Sequence, residues 1–324
     1  LCFETILCTI NADAISARKG YIMQIVIQNA VEFFLIMFLG YMCRQKGLLS
    51  KEDGRKIGRI IVLFTLPCAI LSNVRSINIG LTLFIAVSLA IFAQLVSLGT
   101  GFMLARKRKP DVQAAYALNT ASYNIGNFAI PFAQYFFPGE AIAYISMFDI
   151  GNSIMGLGLN KCIGAAIADR ESSFDWKASM KKLFSSVPFD TYLVIFALSV
   201  FGQGVPEIVV RLTARIGAAN TFLSMFMIGT LLDFKAPKSE QKDVAKIVTA
   251  RICIALALTA LIWLVLPLDP LPKIMLTIGV MSPCATVTPL YSHDVGYRGD
   301  MPAIVGSVSM IVSILILSVL LLFI

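Results

Sequence analysis

The sequence predicts an all-α polytopic membrane protein with ten transmembrane helices. Three observations carry that prediction. Of the 324 residues, 57% are hydrophobic and only 14% charged, and mean hydropathy is +0.81, whereas a soluble domain carries roughly a quarter charged residues. Apolar segments of about 20 residues, the length that crosses a bilayer, follow one another with short connections. Two of these segments are interrupted by proline and polar residues at membrane depth, and they fall in matching positions of the two halves.

Residues 1–22 are treated as an extension, non-native or disordered. Leu1–Ile10 is too short to span, and Arg18 and Lys19 follow the apolar run instead of preceding it as in a signal peptide. Met23 is expected to be the native start. Span one is read at Gln24–Cys43, with Arg44, Lys46, Lys51, Arg55 and Lys56 behind it. Ser50 followed by Lys51-Glu52-Asp53 predicts a helix N-cap with acid in the first turn. Span two, Ile57–Asn73, contains Pro67; span three, Ile79–Ala105, stops at Arg106-Lys-Arg-Lys109. Span four, Ala114–Phe137, holds the run Asn119 to Phe137 with Asn119, Asn124, Gly126, Asn127 and Pro131. Hydrocarbon satisfies neither an amide nor a broken backbone ladder, so such a stretch must line a cavity or be covered by protein. Pro131 removes a donor and clashes one turn back, which predicts a break near Asn127.

After a Pro138-Gly139 turn, span five is read at Ala141–Ile167. The polar connection beyond it, with Trp176, Lys177, Lys181 and Lys182, predicts a short amphipathic surface helix. Span six is placed at Phe189–Phe201, span seven at Ile216–Leu232 and span eight at Ile247–Leu266. Span nine, Lys273–Tyr291, is the second interrupted segment, with Ser282-Pro-Cys-Ala-Thr-Val-Thr-Pro289 inside it. A polar loop over His293–Asp300 leads to span ten, Met301–Ile324. The chain is thus divided into a first five-helix repeat (23–168), a cytoplasmic connection (169–188) and a second five-helix repeat (189–324).

The net charge of +8 is placed by topology, so no nucleic-acid partner is expected. Lys and Arg gather after spans one, three, five, seven and nine, which predicts both chain ends on the non-cytoplasmic side of a plasma membrane. Five spans per half make the halves inverted relative to each other, an architecture common among transporters. The seven Cys are scattered, with no Cys-x-x-Cys, so free thiols are expected and neither disulfide nor metal.

Phe38-Leu-Gly-Tyr41, Lys46-Gly-Leu-Leu-Ser50, Leu66-Pro67, Asn119-Thr120, Asn124-Ile-Gly-Asn-Phe-Ala-Ile-Pro131 and the late Pro289 break resemble the auxin efflux carrier family. That family includes plant auxin exporters and bacterial permeases for malate-like organic acids. The resemblance runs from Met23 to Ile324. It implies two inverted five-helix repeats in which helices four and nine cross at their breaks, as in bile-acid symporter-like folds. It also implies a substrate beside the crossing, alternating access and a homodimer. One departure is the absence of Asn from the second break.

For the site, freed backbone N–H groups and half-helix N-termini suit an anion. Asn124 and Asn127 share one helical face, Asn119 lies below them, and Ser282, Thr286 and Thr288 offer hydroxyls from the other break. Pro67, Pro131, Pro283 and Pro289 are read as backbone shapers of the crossing. The alternative for the amides and hydroxyls is helix–helix hydrogen bonding. Glu32 and Asp149, carboxylates inside spans, are candidates for proton coupling; sodium is the other candidate ion. Lys161 and Arg251 are expected to snorkel to the membrane edge. His293-Asp294 lacks a placed nucleophile, and no phosphate-cradling Gly loop occurs, so neither an enzyme nor an ATP-driven pump is expected. The reading is a secondary carrier for small organic anions, with a ligand-gated channel or a membrane-bound sensor of an organic acid as the alternative, and with no cofactor.

Overall fold

The computed structural model describes residues 24, 27–74, 80–137, 139, 141–168, 176–233 and 237–321. The extension over 1–22, Arg75, the Pro138 position of the predicted turn, Glu140, residues 169–175 and Lys235 lie outside the described residues. Among the described residues the chain is helical with no strand. Helix α1 covers 27–45. It stops at Gly47, whose φ of 73° lies in the left-handed region that glycine enters without cost. Ser50 then opens α2 (Lys51–Asn73) with the predicted cap: its side chain accepts from the Asp53 N–H, and Asp53 accepts from the Ser50 N–H. The Gly-Leu-Leu-Ser run is therefore a helix stop followed by a helix start.

The remaining elements are α3 (Leu81–Leu104), α4 (Pro110–Ala121), α5 (Ile130–Phe136), α6 (Ala141–Ile167), α7 (Trp176–Leu183), α8 (Val187–Val200), α9 (Glu207–Leu231), α10 (Gln241–Leu264), α11 (Pro270–Val280), α12 (Thr288–Asp294) and α13 (Met301–Leu321). Among the described residues five helices (α2, α3, α6, α10 and α13) are long and apolar enough to cross a membrane. Their outward faces carry Phe64, Phe84, Phe92, Leu256 and Leu315 exposed, as a hydrocarbon surround requires. Wide π-helical turns over Ile61–Thr65 and Ile125–Ala129 immediately precede Pro67 and Pro131. The wider turn takes up the proline's missing donor and its clash one turn back.

Several predicted bounds change. The break in span four lies at Ser122–Asn124, upstream of Asn127, because the π turn absorbs the disturbance from Pro131 and the ladder ends before it. Span six is a helix of 14 residues, about 21 Å at 1.5 Å per residue, short of the ~30 Å hydrocarbon core. Span seven starts at Glu207, not Ile216, and runs 25 residues, with Arg211 and Arg215 on its exposed first turns. The second part of span nine continues to Asp294, so His293 is helical.

The first packing layer pairs α1 and α2 with α9. Gly40 and Gly229 let the α1 and α9 backbones touch: a Cβ at either would overlap the carbonyl of Phe226 or Met37. Gly217 likewise brings α9 against the Ala69 backbone of α2, less tightly. The second layer holds α3, α4 and α6 against α10, α11 and α13. Gly151 seats α6 on the Val87 carbonyl of α3, and Gly101 seats α3 on α4.

Polar ties at the helix ends sort the loops into two sides. Lys51 pairs with Asp233, Arg108 binds Asp243 at 3.1 Å, Lys161 meets Asp294 at 2.8 Å, and the Tyr297 hydroxyl donates to Glu240 at 3.2 Å. Seven of the eight residues follow spans one, three, seven or nine, and Lys161 lies in the last two turns of span five. Asn73, after span two, lies instead beside Gly139, after span four. The basic loops therefore share one face of the bundle.

Candidate functional site

The two interruptions meet in the middle of the second layer. After α4 ends at Ala121, Ser122, Tyr123 and Asn124 are extended or irregular, and the Asn124 N–H donates to the Pro283 carbonyl at 3.0 Å. Pro283 lies in the non-helical stretch between α11 and α12. A main-chain bond between two helix breaks exists only because each break releases a group that its own helix no longer uses.

The orphaned carbonyls are gathered by one side chain. Arg251 of α10 is 8% exposed. Its Nη1 donates to the Asn119 carbonyl at 3.1 Å and to the Thr120 carbonyl at 2.6 Å, and its Nη2 donates to the Ser282 carbonyl at 3.0 Å. The guanidinium also lies 5.3 Å from the Tyr123 ring centroid. It sits at the C-terminal ends of two half-helices, where partial negative charge accumulates. The expected snorkelling of Arg251 is thus incorrect: three freed carbonyls supply a better partner than a distant interface. Lys161, by contrast, stays half-exposed in its pair with Asp294. Cys284 reinforces the crossing, its N–H donating to Ser309 Oγ at 3.0 Å.

A cavity of about 530 Å³ borders the crossing. Asn124, Gly126, Asn127 and Thr286 line it, and so does Asp149. Asn124 is 4% exposed, yet among the described residues its Nδ2 has no hydrogen-bond partner, and neither has Asn127 Oδ1. A buried polar atom without a partner costs about 1–3 kcal/mol, so both amides beside the cavity are left short of a hydrogen bond. Asn119, Ser282 and Thr288 are placed differently. Asn119 Nδ2 donates to Ala115 O and Ser292 Oγ, Ser282 Oγ donates to Ile278 O, and Thr288 Oγ1 accepts from Cys284. Asn119 thus ties the two breaks together, Ser282 and Thr288 make local bonds within the second, and none of the three lines either large cavity. Pro67 is buried just after the π turn inside α2 and Pro131 in the first turn of α5, Pro283 lies in the second break, and Pro289 lines a second cavity.

Asp149 sits in a network that periodicity alone did not reveal. Its Oδ1 accepts from Asn152 at 2.9 Å and its Oδ2 from Tyr192 at 3.0 Å. Gln94 donates to Asn152 and accepts from Asn160 at 2.6 Å. Among the described residues no ion pair reaches Asp149. Glu32 lies elsewhere, exposed on the outer face of α1 beside Val31 and Leu35. Gln94, Asn152 and Asn160 are amides inside apolar spans, a signal as legible as the Asn run itself.

Residues 25–182 match the family model described as a membrane transport protein. The match covers 158 of the 324 residues, just under half of the chain, so this stretch is similar to that family. The matched stretch holds the first break and the resemblance motifs up to Pro131. The second break lies beyond it and is joined to the first by the Asn124–Pro283 bond. A search of curated proteins gives no match.

Proposed function

We infer that this membrane transporter is a secondary carrier for small organic anions, working by alternating access across the plasma membrane. The halves 23–168 and 189–324 form two inverted five-helix repeats, with both chain ends outside and broken helices four and nine crossing at the substrate. The observation that supports this most is the main-chain bond from Asn124 to Pro283 beside a cavity that Asn124 and Asn127 line, each with a side-chain atom left unpartnered. Amides bind a carboxylate while staying neutral, so the empty site is not a trap. The N-terminal turns after each break add partial positive charge.

Uptake of a radiolabelled mono- and dicarboxylate panel into proteoliposomes tests the reading. Saturable uptake with counterflow supports a carrier; ohmic non-saturating flux means a channel, and binding without flux means a sensor. Asn127→Ala is expected to lower uptake about tenfold, one charge-assisted hydrogen bond of ~1.5 kcal/mol, with an unchanged melting profile. Wild-type uptake by that variant would remove Asn127 from the site.

Asp149 is assigned the coupling role. A bound anion and an ionised carboxylate in one cavity wall repel, so anion and proton enter together. Asp149→Asn is then expected to flatten the pH dependence of uptake, whereas Glu32→Gln leaves it unchanged. A wild-type pH profile in Asp149→Asn would transfer the coupling to another ion, with sodium tested first by replacement with choline.

A further inference from the structure

We propose that Arg55 and Arg59 form an anion-docking site at a mouth shared by two cavities, where the carboxylate of a soluble organic acid binds before it reaches Asn124 and Asn127. The proposal rests on the carrier reading for its purpose, but not for its test. The second cavity, also about 530 Å³, lies between α2, α9, α12 and α13. Arg55, Arg59, Ala285 and Thr286 belong to the walls of both cavities. The loop that carries Ala285 and Thr286 therefore divides one basic mouth into two chambers.

The charge balance singles out this pair. Arg55 and Arg59 are one turn apart on α2, on a common face, with Lys51 a further turn back. Lys51 is matched by Asp233. Arg55 reaches Glu52 at 3.2 Å, but the two side chains are 67% and 54% exposed, so solvent leaves that pair weak. Among the described residues Arg59 has no ion-pair partner. Of the carboxylates facing these walls, Glu52 lies in the second cavity, and Asp149 lies in the first, engaged by Asn152 and Tyr192. Two guanidinium forks at a low-dielectric opening match a carboxylate or phosphate in shape and concentrate anions there. A lipid headgroup phosphate shares that chemistry, so the test separates the two sources.

Thr286 is exposed at the division between the chambers and serves as reporter. In Thr286→Cys protein, modification by anionic sulfonatoethyl methanethiosulfonate is compared with modification by the cationic trimethylammonium reagent. Mass spectrometry of the peptide containing position 286 gives each rate. Relative to a free thiol, the anionic reagent is expected to be favoured roughly tenfold. Arg55→Gln with Arg59→Gln should bring the ratio near one, and inorganic sulfate at constant ionic strength should slow the anionic reagent only when both arginines are present. Ala285→Cys lines the same two walls and replaces the reporter if Thr286→Cys fails to fold.

The ratio is measured in vesicles of phosphatidylcholine alone and with phosphatidylglycerol added. Equal ratios support a solute site; loss of the preference with phosphatidylglycerol assigns the pair to lipid phosphate and overturns the proposal. A ratio insensitive to the arginines, or to sulfate, also overturns it. Because no transported substrate is needed, a clear preference in a protein that moves no organic acid would sink the carrier reading and leave the docking site standing. Transport without any preference would do the reverse.

Discussion

Arg251→Gln is expected to abolish transport and to destabilise the folded protein by about 3 kcal/mol or more. The magnitude follows from the three carbonyls that Arg251 satisfies, those of Asn119, Thr120 and Ser282. Those of Thr120 and Ser282 are left buried without this partner, at ~1–3 kcal/mol apiece before relaxation, while that of Asn119 keeps only the weak Cys284 thiol at 3.5 Å. Glutamine offers two donors on a shorter stem and cannot bridge both half-helix ends. Arg251→Lys keeps the charge but lacks the planar fork, so it should recover part of the stability and little of the transport. The checks are thermal unfolding of the purified protein and counterflow in proteoliposomes. A Gln variant with wild-type melting and uptake would show that the crossing holds without its cationic clamp. The Asn124–Pro283 bond would then be the element to examine.

Gly229→Leu is expected to prevent formation of the native fold altogether. At this position any side chain would run into the Met37 carbonyl, and Gly40 meets the Phe226 backbone in the reciprocal way. Backbone against backbone cannot yield by changing a rotamer, so the cost exceeds the ~1–3 kcal/mol usual for overpacking. Helices α1 and α9 would have to separate, opening the layer against which the broken helices rest. Size-exclusion elution of a fluorescent fusion reads this directly: the variant should aggregate while wild type elutes as one peak. Gly99→Ala, at a helical glycine with nothing near its would-be Cβ, is the control and should elute normally. A single native peak for Gly229→Leu would mean that the close approach of α1 and α9 is not required.

The periodic and compositional features were readable before any coordinates. Gly47 and Ser50 stop one helix and start the next through local chemistry alone. Pro110 and Asp111 open α4, and the long apolar runs of α3, α6, α10 and α13 announce themselves by length. The break in α4 was legible as an event but misplaced by a few residues. Proline sets where a regular helix is disfavoured, while the neighbouring π turn decides where the ladder opens. The start of α9 was read nine residues late because Glu207, Arg211 and Arg215 mimic a loop in composition although they are helical.

For the site, the chain alone reveals which residue types fall inside apolar segments: the amides around Asn124, the hydroxyls around Thr286, the carboxylate of Asp149 and the paired prolines. Tertiary structure alone decided which of them face a cavity. Asn119 and Asn127 look equivalent in the sequence, yet one is consumed by Ser292 and Ala115 while the other keeps a free oxygen at the cavity wall. Arg251 is the sharper case. Its neighbours in the chain are those of an ordinary apolar span, and its partners lie 131 and 132 residues upstream and 31 residues downstream. Helical spacing is a local property written into the chain; the meeting of freed backbone groups from distant breaks exists only once the helices have packed.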